Sequence, residues 1–206
     1  MTAPRSKPLL DWEPFPFAVA FVGVLVSAAA RPAPPWLFLP LLLVGLACLA
    51  LLVQRLVVWS RPRTPGRSGE LADFAGIELV DAAGAEREVR TSAPVDDVQR
   101  HQAAIELARL GGGARQHAVL VPRSTRWMSR RYRIAVQLDG DGTPRHAGFL
   151  KPGADERWRE TLDRLGREGR YVRVPAVVVG ETRPFGVELD LSGLPALEAE
   201  PGISSR

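Results

Sequence analysis

Five arginines fall within the eleven residues RSTRWMSRRYR (Arg123 to Arg133), which also contain Trp127 and Tyr132 but no acidic residue. Arginines interleaved with aromatic residues are typical of proteins that hold single-stranded nucleic acid, because guanidinium groups contact phosphates and rings stack on bases. A positive patch also attracts anionic lipid head groups, and a solvated basic loop with the tryptophan folded against a sheet is a third interpretation. The candidate ligand-binding residues in this segment are Arg123, Arg126, Trp127, Arg130, Arg131, Tyr132 and Arg133.

Other residues of the types used in metal binding, phosphate binding or catalysis do not occur in the sequence motifs that those functions require. The three histidines, His101, His117 and His146, have no metal-ligand spacing. The glycines from Gly111 to Gly113 lack the Lys-Ser/Thr of a phosphate-binding loop, and no serine lies in a nucleophile elbow. We therefore expect no enzymatic activity, no metal and no cofactor.

The net charge of +4 is unevenly distributed along the chain. Residues 1–67 carry seven Lys/Arg against two Asp/Glu, which gives +5, whereas residues 68–206 carry 20 against 21, which gives −1. The basic character therefore belongs to the N-terminal part, and the segment from Arg123 to Arg133 is a local patch. The single cysteine, Cys48, excludes an internal disulfide.

Two uncharged apolar runs, Phe15 to Ala30 and Trp36 to Val53, precede the polar part of the chain. Each is long enough, at ~1.5 Å per residue, to cross most of a hydrocarbon core of roughly 30 Å. They predict an N-terminal transmembrane α-helical hairpin over residues 15–59, with the turn at Arg31 to Pro35. A cleaved signal peptide is the alternative for the first run, since basic residues precede it and small residues end it.

Basic residues flank these runs and predict their orientation. Arg5 and Lys7 lie before the first run, and Arg61, Arg63 and Arg67 follow the second. The positive-inside rule then places both termini in the cytoplasm, in a multi-pass plasma-membrane protein whose partners are the lipid bilayer and unidentified membrane proteins. We expect residues 1–14 to form a cytosolic N-terminus and residues 60–69 to form a linker.

The pattern of apolar residues over 70–194 predicts a small cytosolic α+β domain. We expect residues 195–206 to form a disordered tail. Alternating apolar residues indicate strands, as in YRIAVQLDGDG, and helical spacing indicates two helices. The first helix is expected to be capped by Asp96 and to stop at Gly111. On the second, the acidic residues are expected to lie on a solvated face and to be paired with nearby arginines; they are Asp155, Glu156, Glu160 and Asp163. The sheet is expected to curl into a partly closed barrel.

The order of these elements resembles the HIRAN domain, a small β-barrel module with two helices. The resemblance covers about Arg87 to Leu194 and rests on AVQLDG, AGFLKP, the helix WRETLDRL, VRVPAVVVG and FGVELDL, all in the family's order. It implies a single-stranded DNA-end binding module and matches Phe149 to a family aromatic, which adds Phe149 to the candidate site. Where the family has an acid in its binding segment, this chain has Arg130.

These patterns together predict a membrane-anchored binding module that takes an anionic ligand, either single-stranded nucleic acid or anionic lipid, through the basic-aromatic segment. The alternative is a membrane scaffold that acts through protein–protein contacts and has no ligand of its own.

Overall fold

The computed structural model describes most of the C-terminal two thirds of the chain and part of the N-terminal third. The described residues are Ser6, Trp12, 14–29, Pro40, Leu43, 46–47, 49–50, Val53, Leu71, 73–74, 76–84, Val89, 91–126 and 129–198. The chain divides into two compact units. One comprises residues 6–64 and 127–130, and the other, the sheet domain, comprises residues 1–5, 65–126 and 131–206.

The first unit contains helix α1, Phe15–Ala29, and it corrects the transmembrane prediction. Over the part of the chain that is described, no helix is both long and apolar enough to cross a membrane. The 15 residues of α1 span only about 22 Å at ~1.5 Å per residue, less than the roughly 30 Å of a hydrocarbon core. The predicted hairpin and the plasma-membrane localisation drawn from it are therefore wrong. Most of the second apolar run, the turn before it and the predicted linker lie outside the described residues.

The described residues of the sheet domain form seven strands in one sheet. Their bounds are β1 Glu78–Asp81, β2 Ser92–Asp96, β3 Arg115–Thr125, β4 Tyr132–Asp139, β5 Pro144–Leu150, β6 Arg170–Val179 and β7 Gly186–Asp190. The strand order is β1-β6-β3-β4-β5-β2-β7, and β6 also pairs with β7. This last pairing closes six strands into a ring, which agrees with the predicted curled sheet. Strand β1 runs parallel to the first half of β6, outside the ring.

Helices α2, Gln102–Gly112, and α3, Pro152–Arg167, contribute to the larger of two apolar clusters formed by the described residues of this domain. Pro152 lies at the start of α3, where a backbone N–H would have no acceptor within the helix, so its absence in proline costs no hydrogen bond. Trp158, Leu162 and Leu165 recur at helical spacing and are buried against the strands. The second apolar cluster uses the opposite side-chain face of β3, where Val119 and Val121 are fully buried.

Two local expectations differ from the structure. Asp96 does not cap α2, because it is the last residue of β2, and a 3-10 helix, Val98–Arg100, separates it from the start of α2. Residues 195–198, in the segment expected to be disordered, form the short helix α4, Pro195–Glu198. This helix is held because Leu197 is buried in the larger cluster and its carbonyl accepts a hydrogen bond from Arg164.

Candidate functional site

A β-bulge lies at the centre of the arginine segment. Strands β3 and β4 pair regularly as far as Val121 opposite Ala135, and the pairing resumes with Ser124 opposite Arg133, after a register shift. Within this bulge Arg123 has φ of 56°, in the left-handed region. Residues other than glycine and the short polar residues avoid this region because Cβ crowds the following carbonyl. The bulge therefore turns the Arg123 side chain out of the regular alternation of β3.

Arg133 is a structural arginine. Its Nη2 donates to Asp96 Oδ2 at 2.9 Å and to the Leu150 carbonyl at 2.6 Å. Its guanidinium carbon lies 5.0 Å from the centre of the Phe149 ring, which is within cation–π range. The side chain is only 14% exposed. The hydrogen bond from Arg133 holds the pKa of Asp96 below its ordinary value, so this carboxylate stays charged and tied to the sheet.

Three further arginines of the segment are about half exposed and pair with acids of the same domain. Arg123 Nε lies 3.5 Å from Asp163 Oδ2, and Arg131 Nη2 lies 3.1 Å from Glu156 Oε1, both acids belonging to α3. The Arg123 and Arg131 side chains remain 40% and 55% exposed. Burial raises the pKa of Asp163, and the charge of Arg123 opposes that rise. These two arginines thus sit at the surface beside α3.

The third half-exposed arginine, Arg126, shares its acid with a residue that the sequence did not suggest. Arg126 Nε lies 3.3 Å from Asp97 Oδ2, while Arg100 Nε lies 3.4 Å from Asp97 Oδ1. Asp97 itself has φ of 66° and adjoins the 3-10 helix. Among the described residues, Asp97 and Arg123 are the two non-glycine residues with positive φ, and both belong to this cluster of ion pairs.

The aromatic residues of the predicted site are less available than its arginines. Tyr132 is half-buried at the start of β4, and Phe149 is buried beneath Arg133. Trp127 lies outside the described residues, and Arg130 belongs to the unit that contains α1. The site that the sheet domain brings together is therefore Arg123, Arg126, Arg131 and Arg133, together with Arg100 and the acids Asp96, Asp97, Glu156 and Asp163.

A histidine pair lies next to this site, where sequence spacing indicated no cluster. The rings of His101 and His146 meet edge to face at 4.3 Å, and His146 lies 5.1 Å from Phe149. Burial, with a smaller contribution from the charge of His101, lowers the pKa of His146 to about 3. Gln137 Nε2 lies 3.2 Å from His146 Nδ1. An amide nitrogen can only donate, so in this contact Nδ1 is the acceptor and the ring is neutral.

Within the described residues, no three His, Cys, Asp or Glu side chains are grouped so that they could hold a metal ion. No family model, curated protein or solved structure matches the chain. The resemblance to HIRAN domains accordingly stays a prediction. What the cluster offers chemically is a set of surface guanidinium groups whose hydrogen bonds suit an anion.

Proposed function

We propose that the sheet domain is a binding module for an anionic ligand, with single-stranded nucleic acid as the ligand class, and that it binds at the arginine rim formed by Arg123, Arg126 and Arg131. The observation that carries the proposal is Arg123 itself. A left-handed arginine costs roughly 1–2 kcal/mol, which a glycine in the same bulge would avoid. Strained residues of this kind cluster at functional sites, and here the strained backbone carries a guanidinium that is 40% exposed.

The acids beside the rim leave it able to bind phosphate. The ion pairs of Arg123 and Arg126 each engage Nε, and a guanidinium has five N–H donors. The Arg131–Glu156 pair joins two exposed side chains and contributes only about 0–1 kcal/mol, so its rearrangement around a phosphate costs little. The acids that pair with the rim arginines and Arg100 include Asp97, Glu156 and Asp163.

The burial of the aromatic residues limits the kind of binding that the rim supports. The described aromatic residues of the site are buried or half-buried, so phosphate contacts carry more of the binding than base stacking does. Phosphate contacts do not read sequence, and they weaken as salt rises because bound counterions are released. We infer weak, sequence-independent and salt-sensitive binding of single strands.

Fluorescence anisotropy with the full-length chain and a labelled oligothymidylate of about twenty nucleotides tests this proposal. If the three rim arginines each neutralise one phosphate, the logarithm of the association constant falls with the logarithm of salt concentration at a slope of about −2. Changing all three rim arginines to Gln should abolish the salt-sensitive binding.

A matched control changes three arginines at the opposite ends of the strands. Arg115 begins β3, Arg145 lies near the start of β5, and Arg183 lies in the connection between β6 and β7. The triple Gln variant at these positions changes the net charge equally and should retain the wild-type salt slope. Equal loss in both triple variants would show only a general charge effect, and wild-type binding by the rim variant would refute the proposal.

A further inference from the structure

The Asp97 carboxylate bridges two arginines that come from different parts of the fold. Oδ1 faces Arg100 Nε at 3.4 Å, from the 3-10 helix, and Oδ2 faces Arg126 Nε at 3.3 Å, from the end of β3. Each carboxylate oxygen thus takes one guanidinium. The two arginine side chains are 58% and 41% exposed, whereas that of Asp97 is 12% exposed between them.

The backbone fixes Asp97 in this position. Its N–H donates to Asp96 Oδ1 at 3.0 Å, and Asp96 Oδ2 accepts the hydrogen bond from the largely buried Arg133. Asp97 is also left-handed, a conformation that aspartate and asparagine tolerate better than other side chains. The bridging carboxylate is therefore attached to the rigid sheet, while the two arginines reach it through long, exposed side chains.

We propose that Arg100 and Arg126 form a phosphate clamp and that Asp97 occupies this clamp in the unliganded protein as an internal competitor. The proposal rests on the proposed function, to which it adds Arg100 as a binding residue and Asp97 as the residue that sets affinity. A phosphate carries the same kind of oxygen ligands as the carboxylate but offers more of them, so it can accept from both guanidinium groups at once.

The distances agree with a contact that can be exchanged. Charge-assisted N–H···O bonds are strongest at about 2.7–2.9 Å, and both Asp97 contacts are longer, at 3.3 and 3.4 Å. A bound phosphate would also lie close to the Asp97 carboxylate, and like charges repel. Removing the carboxylate charge should consequently strengthen phosphate binding, whereas removing either arginine should weaken it.

Asp97→Asn is the informative change, because asparagine keeps the size of the side chain and tolerates the left-handed backbone. With labelled oligothymidylate of about twenty nucleotides and the full-length chain, we expect the variant to bind about five times more tightly than the wild type at low salt. Arg100→Gln should bind about three times more weakly, and Arg100→Gln combined with Asp97→Asn should lose most of the gain. Glu181→Gln, an equal charge change in the exposed connection between β6 and β7, should alter affinity less than twofold.

The outcomes separate this inference from the proposed function. If the rim variant loses binding but Asp97→Asn binds no more tightly than the wild type, the rim stands and the clamp is refuted. Binding by Asp97→Asn where the wild type binds undetectably would support the clamp directly. If neither protein binds the oligonucleotide at about 50 mM salt, where phosphate contacts are strongest, both proposals fall. A thermal midpoint for Asp97→Asn close to that of the wild type excludes misfolding as the cause of a lost signal.

Discussion

The Arg133 guanidinium lies over the buried Phe149 ring at 5.0 Å and donates to both Asp96 and the Leu150 carbonyl. These contacts link β4 to β5 and to the end of β2, where the ring of strands changes partners. Arg131, two residues earlier in the same segment, makes an exposed pair with Glu156 on α3. Arg131 and Arg133 look equivalent in the sequence, but Arg133 connects strands inside the fold whereas Arg131 makes an exposed ion pair.

Arg133→Gln should therefore destabilise the domain far more than Arg131→Gln. Losing charged hydrogen bonds and a partly desolvated cation–π contact should lower the free energy of unfolding by about 2–4 kcal/mol. The exposed pair of Arg131 should contribute less than about 1 kcal/mol. Denaturant unfolding of the two variants measures the difference, and equal losses would contradict the structural role assigned to Arg133.

Burial of His146 makes stability depend on pH. Its pKa is about 3 in the folded protein, against about 6.5 in an unfolded chain, so the unfolded state binds more protons between these values. Stability that is present above about pH 6.5 should be lost as pH falls towards 3, at up to ~1.4 kcal/mol per pH unit.

His146→Gln removes this titration while keeping a side chain that can hydrogen-bond to Gln137. Between about pH 6.5 and 4 the wild type should lose about 3 kcal/mol more than the variant. Unfolding by denaturant at several pH values gives both curves. Parallel curves over this range would show that His146 protonates equally in the two states.

The fold of the sheet domain followed from the sequence wherever the signal was local. The alternation of apolar residues in β4 predicts a strand from Tyr132 onward, and Trp158, Leu162 and Leu165 predict the buried stripe of α3. The apolar run of Phe15 onward shows the limit of that argument. Hydropathy predicts that such a run avoids water, but it does not fix the helix length, and α1 ends after 15 residues.

The ion pairs could not be predicted in the same way, because their partners are distant in the sequence. Nothing local in the sequence indicates that Asp97 reaches Arg126 or that Asp96 reaches Arg133. Spacing alone also misplaced two of the four acids of α3, whereas Glu156 and Glu160 are exposed as predicted. Asp155 and Asp163 read as solvated residues, yet both are buried, since they share a stripe with Arg159 beside the apolar face.

Asp155→Asn tests whether the Asp155 carboxylate is buried against Arg159. Asp155 Oδ1 accepts the backbone N–H of Ile134 at 2.7 Å, and Oδ2 pairs with Arg159, which is itself buried. The variant would remove the carboxylate charge that pairs with the buried Arg159, which should lower the free energy of unfolding by about 3–5 kcal/mol. Glu160→Gln, on the exposed face of the same helix, should change it by about 0.5 kcal/mol or less. A small effect of Asp155→Asn would mean that water reaches this pair.

Two substitutions of Arg123 separate its effect on stability from its effect on binding. Arg123→Gly removes the guanidinium and relieves the left-handed strain, whereas Arg123→Ala removes the same guanidinium but leaves a Cβ at φ of 56°. Both variants lose the contact with Asp163, so their difference isolates the backbone. The glycine variant should be more stable than the alanine variant by about 1 kcal/mol, because glycine alone adopts this conformation without crowding.

Both variants should bind oligothymidylate equally weakly, about threefold below the wild type if one phosphate contact is lost. Denaturant unfolding and anisotropy measure the two effects in one pair of proteins. If alanine were as stable as glycine, the bulge would not hold Arg123 left-handed in solution, and if both variants bound like the wild type, the strain would have to serve something other than the rim.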